Sequence, residues 1–267
     1  MRMRGAVAVL AVTLSLLATA CGGGDGTSLQ FEEPGPPVGE PLLPDIAPAP
    51  PNAVGMRREG GKWLLGFSTV LDNVGEGDFV LRANRRAGAW DVEQDVFHST
   101  SGAEVIQTPA RLVWGGDGHG HWHVQRVAVN RLVPLDEKGK PVAGKSWADS
   151  KIGFCFYDGT HLSDTGPPEA VYSRFSCGEK DDTVIGMGLS LGWADIYPIG
   201  LPGQTIDVTD VPDGKYRMWV EADPRRWFRE ATRDNNVTWA DIALSTKANG
   251  TREVEVIQEG PPIRGNG

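Results

Sequence analysis

The sequence predicts an all-β protein, a β-sandwich with long irregular loops. Short runs rich in β-branched and aromatic residues recur along most of the chain, separated by turns that contain Gly, Asn or Pro. No segment keeps the 3.6-residue hydrophobic period of an amphipathic helix. The 35 glycines and 19 prolines among 267 residues favour many turns between short strands, as in a sandwich or barrel that forms one domain.

The strands follow from these runs in chain order. Residues 204–211 and 215–222 flank Pro212-Asp213-Gly214, a turn sequence that predicts a hairpin. The stretch 159–197 contains many Gly and Pro residues and is predicted to be irregular, and long ordered loops of this kind often carry function. Strands are predicted at 62–72, 78–83, 91–99, 110–114, 119–135, 151–158, 204–211, 215–222, 239–245 and 253–258.

Residues 1–20 have the three parts of a secretory signal peptide. Arg2 and Arg4 precede an apolar run from Ala6 to Ala18, which is shorter than the roughly 20 residues of a transmembrane helix. Small residues then lead to Cys21 and three glycines, a pattern that resembles a bacterial lipoprotein signal in which Cys21 carries the lipid. The alternative is an ordinary signal peptide that is cleaved nearby and leaves a secreted protein.

The rest of the chain is predicted to be one extracytoplasmic domain with short flanking segments. Residues 21–41 are rich in Gly and Pro and are predicted to be a tether, 42–258 the β domain, and 259–267 a frayed tail. The formal net charge of -9 argues against nucleic acid or an anionic lipid surface as a partner. Membrane attachment is therefore expected only through the N-terminal lipid.

The cysteines support an oxidising compartment. If Cys21 is lipidated, Cys155 and Cys177 remain to pair with each other, and no Cys-x-x-Cys motif suggests zinc or redox chemistry. A structural disulfide between these two residues is predicted, with a contribution on the order of 3 kcal/mol to stability.

Three of the five histidines, His119, His121 and His123, occupy alternate positions at the start of a predicted strand. Side chains two residues apart on a strand emerge on one face, so the three imidazoles could converge on one metal ion and leave a position open for water or substrate. Neutral imidazole suits zinc, copper, iron and nickel, so the motif alone does not identify the metal. The alternative is a solvated histidine strip on an edge strand.

Two further stretches extend this pattern. One is Lys-Ile-Gly-Phe-Cys at 151–155, and the other runs from Gly-Trp-Ala-Asp-Ile-Tyr at 192–197 through Gln-Thr-Ile-Asp-Val-Thr-Asp-Val at 204–211 to the Asn-Asn pair at 235–236. Together with His-Gly-His-Trp-His at 119–123, they resemble the lysyl oxidase family of copper- and quinone-dependent amine oxidases over most of residues 42–245. The resemblance implies the β-sandwich catalytic domain of that family, here in a lipoprotein-type bacterial member.

The resemblance also implies a chemistry and its residues. His119, His121 and His123 would hold copper(II), Lys151 and Tyr197 would cross-link into lysine tyrosylquinone, and Asp195 matches the proposed catalytic base. The implied activity is of the protein-lysine 6-oxidase type. A primary amine, either peptidyl lysine or a small amine, is oxidised by molecular oxygen to an aldehyde, with release of ammonia and hydrogen peroxide.

A second ion, calcium, is implied by oxygen donors that match the family's calcium site. Carboxylate, carbonyl and amide oxygens are the ligands that calcium prefers. The sequence departs from the animal enzymes at Thr232, which stands where they carry an acid, although Asp234 is close by. The matching residues are Asp45, Ile46, Glu230, Asn235 and Asn236.

Other functions remain open from the sequence. A non-catalytic copper- or zinc-binding module on the same scaffold would keep the histidines without needing Lys151 and Tyr197. A metal-dependent oxygenase without a quinone is a third alternative. Gly188-Leu189-Ser190-Leu191-Gly192 matches the nucleophile elbow of α/β-hydrolases in form, but the strand and helix that should flank the elbow are not predicted.

Overall fold

A computed structural model describes residues 33–51, 53–115, 120–149 and 153–261. The predicted signal peptide with Cys21, as well as His119, Lys151 and the last six residues, lie outside these ranges. The described residues form strands, turns and one short 3₁₀ helix, Arg174–Cys177. No helix in these ranges is long and apolar enough to cross a membrane.

The described ranges contain 19 strands, most of them three to nine residues long. In chain order they are β1 (Ile46–Pro48), β2 (Val54–Glu59), β3 (Lys62–Phe67), β4 (Thr69–Asn73), β5 (Phe79–Arg86), β6 (Ala89–Phe97), β7 (Ala103–Thr108), β8 (Leu112–Trp114), β9 (Trp122–Gln125), β10 (Ala128–Pro134), β11 (Trp147–Ala148), β12 (Gly153–Phe154), β13 (Thr160–His161), β14 (Val184–Leu189), β15 (Trp193–Tyr197), β16 (Thr205–Asp207), β17 (Gly214–Ala222), β18 (Val237–Thr246) and β19 (Arg252–Glu259).

These strands pair antiparallel throughout and form five small sheets. The largest has the order β11-β10-β17-β18-β19, and two four-stranded sheets have the orders β1-β4-β15-β13 and β14-β5-β6-β7. The three-stranded sheets are β12-β9-β8 and β16-β3-β2. The predicted all-β class is therefore confirmed.

Two hydrophobic cores hold the sheets together. One core lies between two sheets that form a sandwich. In it, Leu132 and Met218 of the five-stranded sheet pack against Leu65 and Phe67 of the β16-β3-β2 sheet. The other core brings together residues of the remaining three sheets. In this core, the Phe79 ring makes edge-to-face contacts with Phe156 and Phe228, with ring centroids 4.8 and 5.1 Å apart. The candidate site lies on this second set of sheets.

The predicted hairpin across Pro212-Asp213-Gly214 is wrong. The strand before the turn, β16, pairs with β3, whereas β17 pairs with β10 and β18. The reason is burial. Ile206, Val208 and Val211 pack into the core between the two sheets, and this packing keeps β16 paired with β3 rather than with β17. The turn sequence therefore connects two sheets rather than two neighbouring strands.

The stretch 159–197 is also more regular than predicted, because it contains β13, β14 and β15. Glycines within β14 obscure the strand pattern in the sequence. At Gly188 an added Cβ would lie 2.7 Å from the Tyr172 ring, so the glycine is needed for this ring to pack on the strand. The predicted strand 62–72 is divided near Ser68 into β3 and β4, whose side chains enter different cores.

Residues 33–41, part of the segment predicted to be a tether, lie along the turn between β6 and β7. Val38 and Pro41 form β-bridges with Ser101 and His98.

The predicted disulfide joins Cys155 to Cys177, with Cα atoms 5.8 Å apart, and closes a 22-residue loop. Inside this loop the Asp158 carboxylate accepts hydrogen bonds from the Tyr172 backbone N–H at 3.0 Å and from the Ser190 backbone N–H at 2.7 Å. The disulfide and this carboxylate together order the segment that precedes β14 and β15.

Asp72 is a buried carboxylate on β4. It lies opposite Ala47 on β1 and Ala194 on β15, so neither neighbouring residue offers a side-chain partner. Its Oδ1 has no hydrogen-bond partner among the described residues, and burial raises the pKa of Asp72 to about 7.

We predict that replacing Asp72 with Asn stabilises the protein more at pH 8 than at pH 5. Because the folded-state pKa lies above the ordinary value of 3.8, the folded protein holds this proton more tightly than the unfolded chain does. Proton binding therefore stabilises the folded state at pH 5, and this stabilisation is lost as the pH rises through about 7. The advantage of the Asp72→Asn variant should grow by about 2–3 kcal/mol between the two pH values. Urea unfolding at each pH measures it.

The matched control is Asp207→Asn. The pKa of Asp207 is lowered to about 2, first by a hydrogen bond from Lys62, so its favourable contribution is fully present at both pH values. This variant should show no gain at pH 8 over pH 5. A constant effect of Asp72→Asn between pH 5 and pH 8 would contradict the assignment.

Candidate functional site

His121 immediately precedes β9, and His123 is its second residue. The two imidazole ring centroids are 4.6 Å apart, and His123 is buried. The intervening Trp122 packs edge to face against Trp90 and Trp114, at 5.0 and 5.4 Å between ring centroids. This tryptophan anchors the strand in the core, while the two imidazoles share the other face as strand alternation requires.

The remaining histidine of the motif, His119, and the predicted cofactor lysine, Lys151, lie outside the described residues. In the described ranges, no three His, Cys, Asp or Glu side chains are gathered so that they could hold a metal ion. The donor chemistry of the two adjacent imidazoles suits copper or zinc.

Strand β12 lies directly against the histidine strand. Gly153 pairs with Gln125, and a Cβ on Gly153 would lie 2.5 Å from the Val124 carbonyl oxygen and 2.9 Å from the His123 Cβ. Only glycine allows this approach without moving the backbone. The segment that follows Lys151 in the sequence therefore runs within contact of His123.

The Tyr197 hydroxyl is bound to the same segment. It accepts a hydrogen bond from the Cys155 backbone N–H at 2.7 Å and lies 3.3 Å from the Cys155 carbonyl oxygen, to which it can donate. The Tyr197 ring is buried and makes an edge-to-face contact with Phe154 at 4.5 Å. Tyr197 and His123 thus border one short piece of chain, which begins two residues after Lys151.

Asp195 lies on the same face of β15 as Tyr197, because the two residues are two apart on one strand. Its side chain is fully buried. Burial, and next the negative charge of Asp195, raises the pKa of Tyr157, whereas the positive charge of Arg174 lowers it. The Asp195 carboxylate therefore lies close enough to the half-buried Tyr157 to affect its proton equilibrium.

A second group of residues combines oxygen donors from distant parts of the chain. Asn235 donates from Nδ2 to Asp45 Oδ2 at 3.0 Å, and the Ile46 backbone N–H donates to Glu230 Oε2 at 3.0 Å. Asn236 donates from Nδ2 to both oxygens of Glu230, at 3.2 and 3.3 Å. All five residues matched to a calcium site in the sequence are thus brought together.

This group has unused acceptor oxygens. Asp45 Oδ1, Asn235 Oδ1 and Asn236 Oδ1 are buried and have no hydrogen-bond partner in the described part of the chain. Burial raises the pKa of Asp45 and raises that of Glu230 to about 7. Buried oxygens without donors are costly unless a cation or water satisfies them, so this oxygen set fits a hard cation such as calcium.

Of the residues near Thr232, Arg233 contacts this group, because its Nη1 lies 3.5 Å from Glu230 Oε1 in an ion pair. Asp234 is exposed, and its backbone N–H donates to the Thr232 hydroxyl at 3.1 Å. Asn73 also belongs to this group, although it was not predicted from the sequence. Its Oδ1 accepts a hydrogen bond from the Asp45 backbone N–H at 3.1 Å.

Ser190 is not a hydrolase nucleophile. Its motif lies between the strands β14 and β15, so the helix that a nucleophile elbow requires is replaced by a strand. The Ser190 hydroxyl is buried and donates to Asp158 at 2.8 Å.

Comparison with known proteins identifies the family of this chain. The sequence model of the family described as lysyl oxidase matches residues 111–253, more than half of the chain. The chain belongs to the lysyl oxidase family. This assignment confirms the resemblance seen in the sequence, and the matched range spans the histidine motif, Lys151, Asp195, Tyr197 and the Glu230–Asn236 segment.

Individual relatives of this lysyl oxidase family member are distant. The chain is 27% identical over 177 residues to lysyl oxidase homolog 3B of Danio rerio and to lysyl oxidase homolog 3 of Homo sapiens. It is 27% identical over 178 residues to lysyl oxidase homolog 2 of Gallus gallus. These alignments cover 66–67% of the chain but only 17–18% of each relative. The chain therefore spans less than a fifth of the length of these relatives.

We predict that Gly153→Ala separates β12 from β9. The added methyl group would meet backbone and the His123 Cβ, neither of which can rotate away, so the free energy of unfolding should fall by about 1–3 kcal/mol. Thermal unfolding of the purified protein measures the loss.

Gly120→Ala is the matched control, because an added Cβ there meets nothing within 4 Å. Its midpoint should stay within about 1 °C of the wild type, since an isolated exposed substitution has little effect. Equal midpoints for Gly153→Ala and Gly120→Ala would show that the close approach is unimportant.

Proposed function

We propose that this member of the lysyl oxidase family is a copper-dependent amine oxidase. The observation that carries the proposal is the hydrogen bond between the Tyr197 hydroxyl and the Cys155 backbone N–H, 2.7 Å long. It holds the phenol against the segment that follows Lys151 and that also contacts His123. A copper-assisted cross-link between Lys151 and Tyr197 would need a tyrosine near an imidazole pair, and residues 153–155 contact both Tyr197 and His123.

Copper would be held by His119, His121 and His123. The imidazole rings of His121 and His123 lie 4.6 Å apart, which supports two of these ligands, and His119 is proposed from the sequence motif. Three neutral nitrogen ligands leave a position open for a small molecule such as oxygen. The neighbouring tryptophans fix the strand, so the ligands would be positioned before the metal binds.

Lysine tyrosylquinone, once formed from Lys151 and Tyr197, would supply the electrophilic carbonyl with which a primary amine condenses. The protein would contribute the proton transfer, with Asp195 accepting a proton from the carbon next to the amine nitrogen. Asp195 is completely buried on the Tyr197 face of β15, so it would accept this proton away from bulk water. Phe154, packed on the Tyr197 ring, would keep water from one side of the reacting ring.

The overall reaction balances as one primary amine, one oxygen and one water giving one aldehyde, one ammonia and one hydrogen peroxide. The formal net charge of -9 favours cationic amines, whether peptidyl lysine or small amines, over anionic substrates.

We assign the buried oxygen group around Asp45 and Glu230 to calcium. The ion would accept the three unused side-chain oxygens and lower the cost of burying two carboxylates, so its role would be structural. It would also join the start of the domain at β1 to the segment before β18.

The protein is proposed to act outside the cytoplasm, anchored through a lipid on Cys21. The Cys155–Cys177 disulfide supports an oxidising compartment, and the lipoprotein-type signal at residues 1–20 supports export.

His121→Ala should abolish stable copper binding. Losing one of three imidazoles should weaken copper affinity by more than the roughly 10- to 100-fold that loss of an outer hydrogen bond costs. Metal analysis after gel filtration measures the copper-to-protein ratio. The control is His98→Ala, because His98 lies outside the motif and contacts the Gly39 carbonyl oxygen at 2.7 Å. Full copper retention by His121→Ala would refute the ligand assignment.

Lys151→Ala tests the proposed activity itself. The variant should keep its copper but lose hydrogen peroxide production from primary amines, because no lysine-derived quinone can form. Lys140→Ala, a change at another lysine, should leave peroxide production unchanged. If Lys151→Ala is as active as the wild type, the quinone is not the catalyst. If the wild type binds copper but oxidises no amine, a metal-binding module becomes the better description.

Calcium should stabilise the wild type and not the Asp45→Asn variant. Calcium at about 100 times its dissociation constant should add about 2.7 kcal/mol to the free energy of unfolding. Thermal unfolding with calcium and with a chelator measures the difference. Asp234→Asn is the control, and it should keep the full response because Asp234 is exposed. A response in Asp45→Asn equal to that of the wild type would exclude this site.

A further inference from the structure

Four polar side chains form a hydrogen-bonded chain inside the protein, between Tyr197 and the segment that leads to Lys151. Gln204 and Asn130 are completely buried, and Thr69 is 1% exposed. The fourth member, Asp149, is partly buried and stands two residues before Lys151. We refer to these four residues as the Asn130 network.

One end of the network holds Tyr197. Gln204 donates from Nε2 to the Tyr197 carbonyl oxygen at 3.1 Å, and its Oε1 accepts from the Thr69 hydroxyl at 3.0 Å. Thr69 also pairs with Tyr197 across β4 and β15. The backbone of Tyr197 is therefore fixed by a neighbouring strand and by a side chain from the segment just before β16.

The other end holds the approach to Lys151. Asn130 donates from Nδ2 to Asp149 Oδ2 at 2.7 Å, and its backbone N–H lies 3.3 Å from the same oxygen. The Asp149 backbone N–H in turn donates to the Asn130 carbonyl oxygen at 3.0 Å. These bonds extend the short β10–β11 pairing by one residue, at the last described position before Lys151.

Asn130 connects the two ends, because its Nδ2 also donates to the Thr69 hydroxyl oxygen at 3.2 Å. Each group then has a determined role. The Tyr197 carbonyl oxygen can only accept a hydrogen bond, so the amide nitrogen of Gln204 must face it and Gln204 Oε1 must face Thr69. The single hydroxyl proton of Thr69 is then donated to Gln204 Oε1. Thr69 must accept from Asn130, whose two amide protons are both used. The reversed amide would place an oxygen against the Asp149 carboxylate.

The network has one unsatisfied group. Asn130 Oδ1 is buried and has no hydrogen-bond partner among the described residues. Leucine would remove this unsatisfied oxygen, but it would also take the amide donor away from the Thr69 hydroxyl oxygen and from Asp149 Oδ2. The amide protons of Asn130, which reach both ends of the network, are the property that an apolar side chain could not provide.

We propose that Asn130 is a positioning residue for cofactor formation. It ties the strand that carries Tyr197 and the segment that enters Lys151 to one rigid frame, so that the two precursors meet in one arrangement. This inference rests on the proposed function. Asn130 reaches Tyr197 through Thr69 and Gln204, and it lies on β10 rather than on the histidine strand β9, so copper binding should not depend on it.

The step that Asn130 would assist is the cross-link itself. One oxygen molecule would give one oxygen atom to the Tyr197 ring and the other to water, which would bring the ring to the oxidation level of a quinone. The Lys151 nitrogen would then bond to a ring carbon, which would lose its hydrogen. A second oxygen molecule would take two electrons and two protons from the reduced ring and become hydrogen peroxide.

The test measures cross-link formation separately from folding and from copper binding. Full-length protein is produced without copper, loaded with copper without oxygen, and then exposed to oxygen. The peptide joining Lys151 to Tyr197 is quantified over time by mass spectrometry, alongside copper content and thermal midpoint. Asn130→Leu should bind copper fully and unfold cooperatively, but should form the cross-link at least tenfold more slowly than the wild type.

Thr69 provides a matched pair in case Asn130→Leu does not fold. Thr69→Val removes the hydroxyl but keeps the shape, and should slow cross-linking, whereas Thr69→Ser restores the hydroxyl and should restore the rate. Wild-type cross-linking rates in folded Asn130→Leu or Thr69→Val, whatever their midpoints, would overturn the positioning role alone. Absence of the cross-link in the copper-loaded wild type would overturn the proposed function, and this inference with it.

Discussion

The contact between β12 and β9 is the constraint on which the site depends. Gly153 allows the two backbones to approach so closely that the segment following Lys151 lies against His123. The Tyr197 hydroxyl accepts a hydrogen bond from the backbone N–H of Cys155, at the end of the same segment. A side chain at position 153 would move β12 away from His123, and it would disturb the hydrogen bond between Cys155 and Tyr197 as well, because both contacts involve residues 153–155.

The rest of the architecture serves to hold this arrangement. Trp122 fixes the histidine strand in the aromatic core, and the disulfide from Cys155 closes the loop that leads to β14 and β15. Buried polar groups also join distant segments of the chain at two places, in the Asn130 network and in the oxygen group around Asp45. Both are costly inside a protein unless their hydrogen bonds or an ion satisfy them, which makes them informative about function.

Much of the candidate site was predictable from the sequence, because its motifs are local. The alternation of His121 and His123, and the spacing of Asp195 and Tyr197, determine which side chains share a strand face. The disulfide followed from counting cysteines. Bringing Asp45 together with Asn235, which lies 190 residues away, could not follow from spacing, and was expected only from the family resemblance.

The Asn130 network was not predictable at all. Its members come from three strands or their flanks and from a loop, and each residue taken singly is an ordinary polar residue in a strand pattern. The wrong hairpin has a similar origin, since the turn at Pro212-Asp213-Gly214 is locally well formed, and only burial of Ile206 and Val208 decides the pairing of β16. Strand β14 was missed because its two glycines, of which Gly188 is needed for packing against Tyr172, obscure the alternation.

The most direct test of the central claim is to treat the copper-loaded protein with phenylhydrazine and to map its cross-linked peptides. We expect an adduct that absorbs visible light and a peptide in which Lys151 is joined to Tyr197. If the protein binds copper fully but gives neither the adduct nor the joined peptide, it is not a quinone-dependent amine oxidase but a metal-binding member of its family.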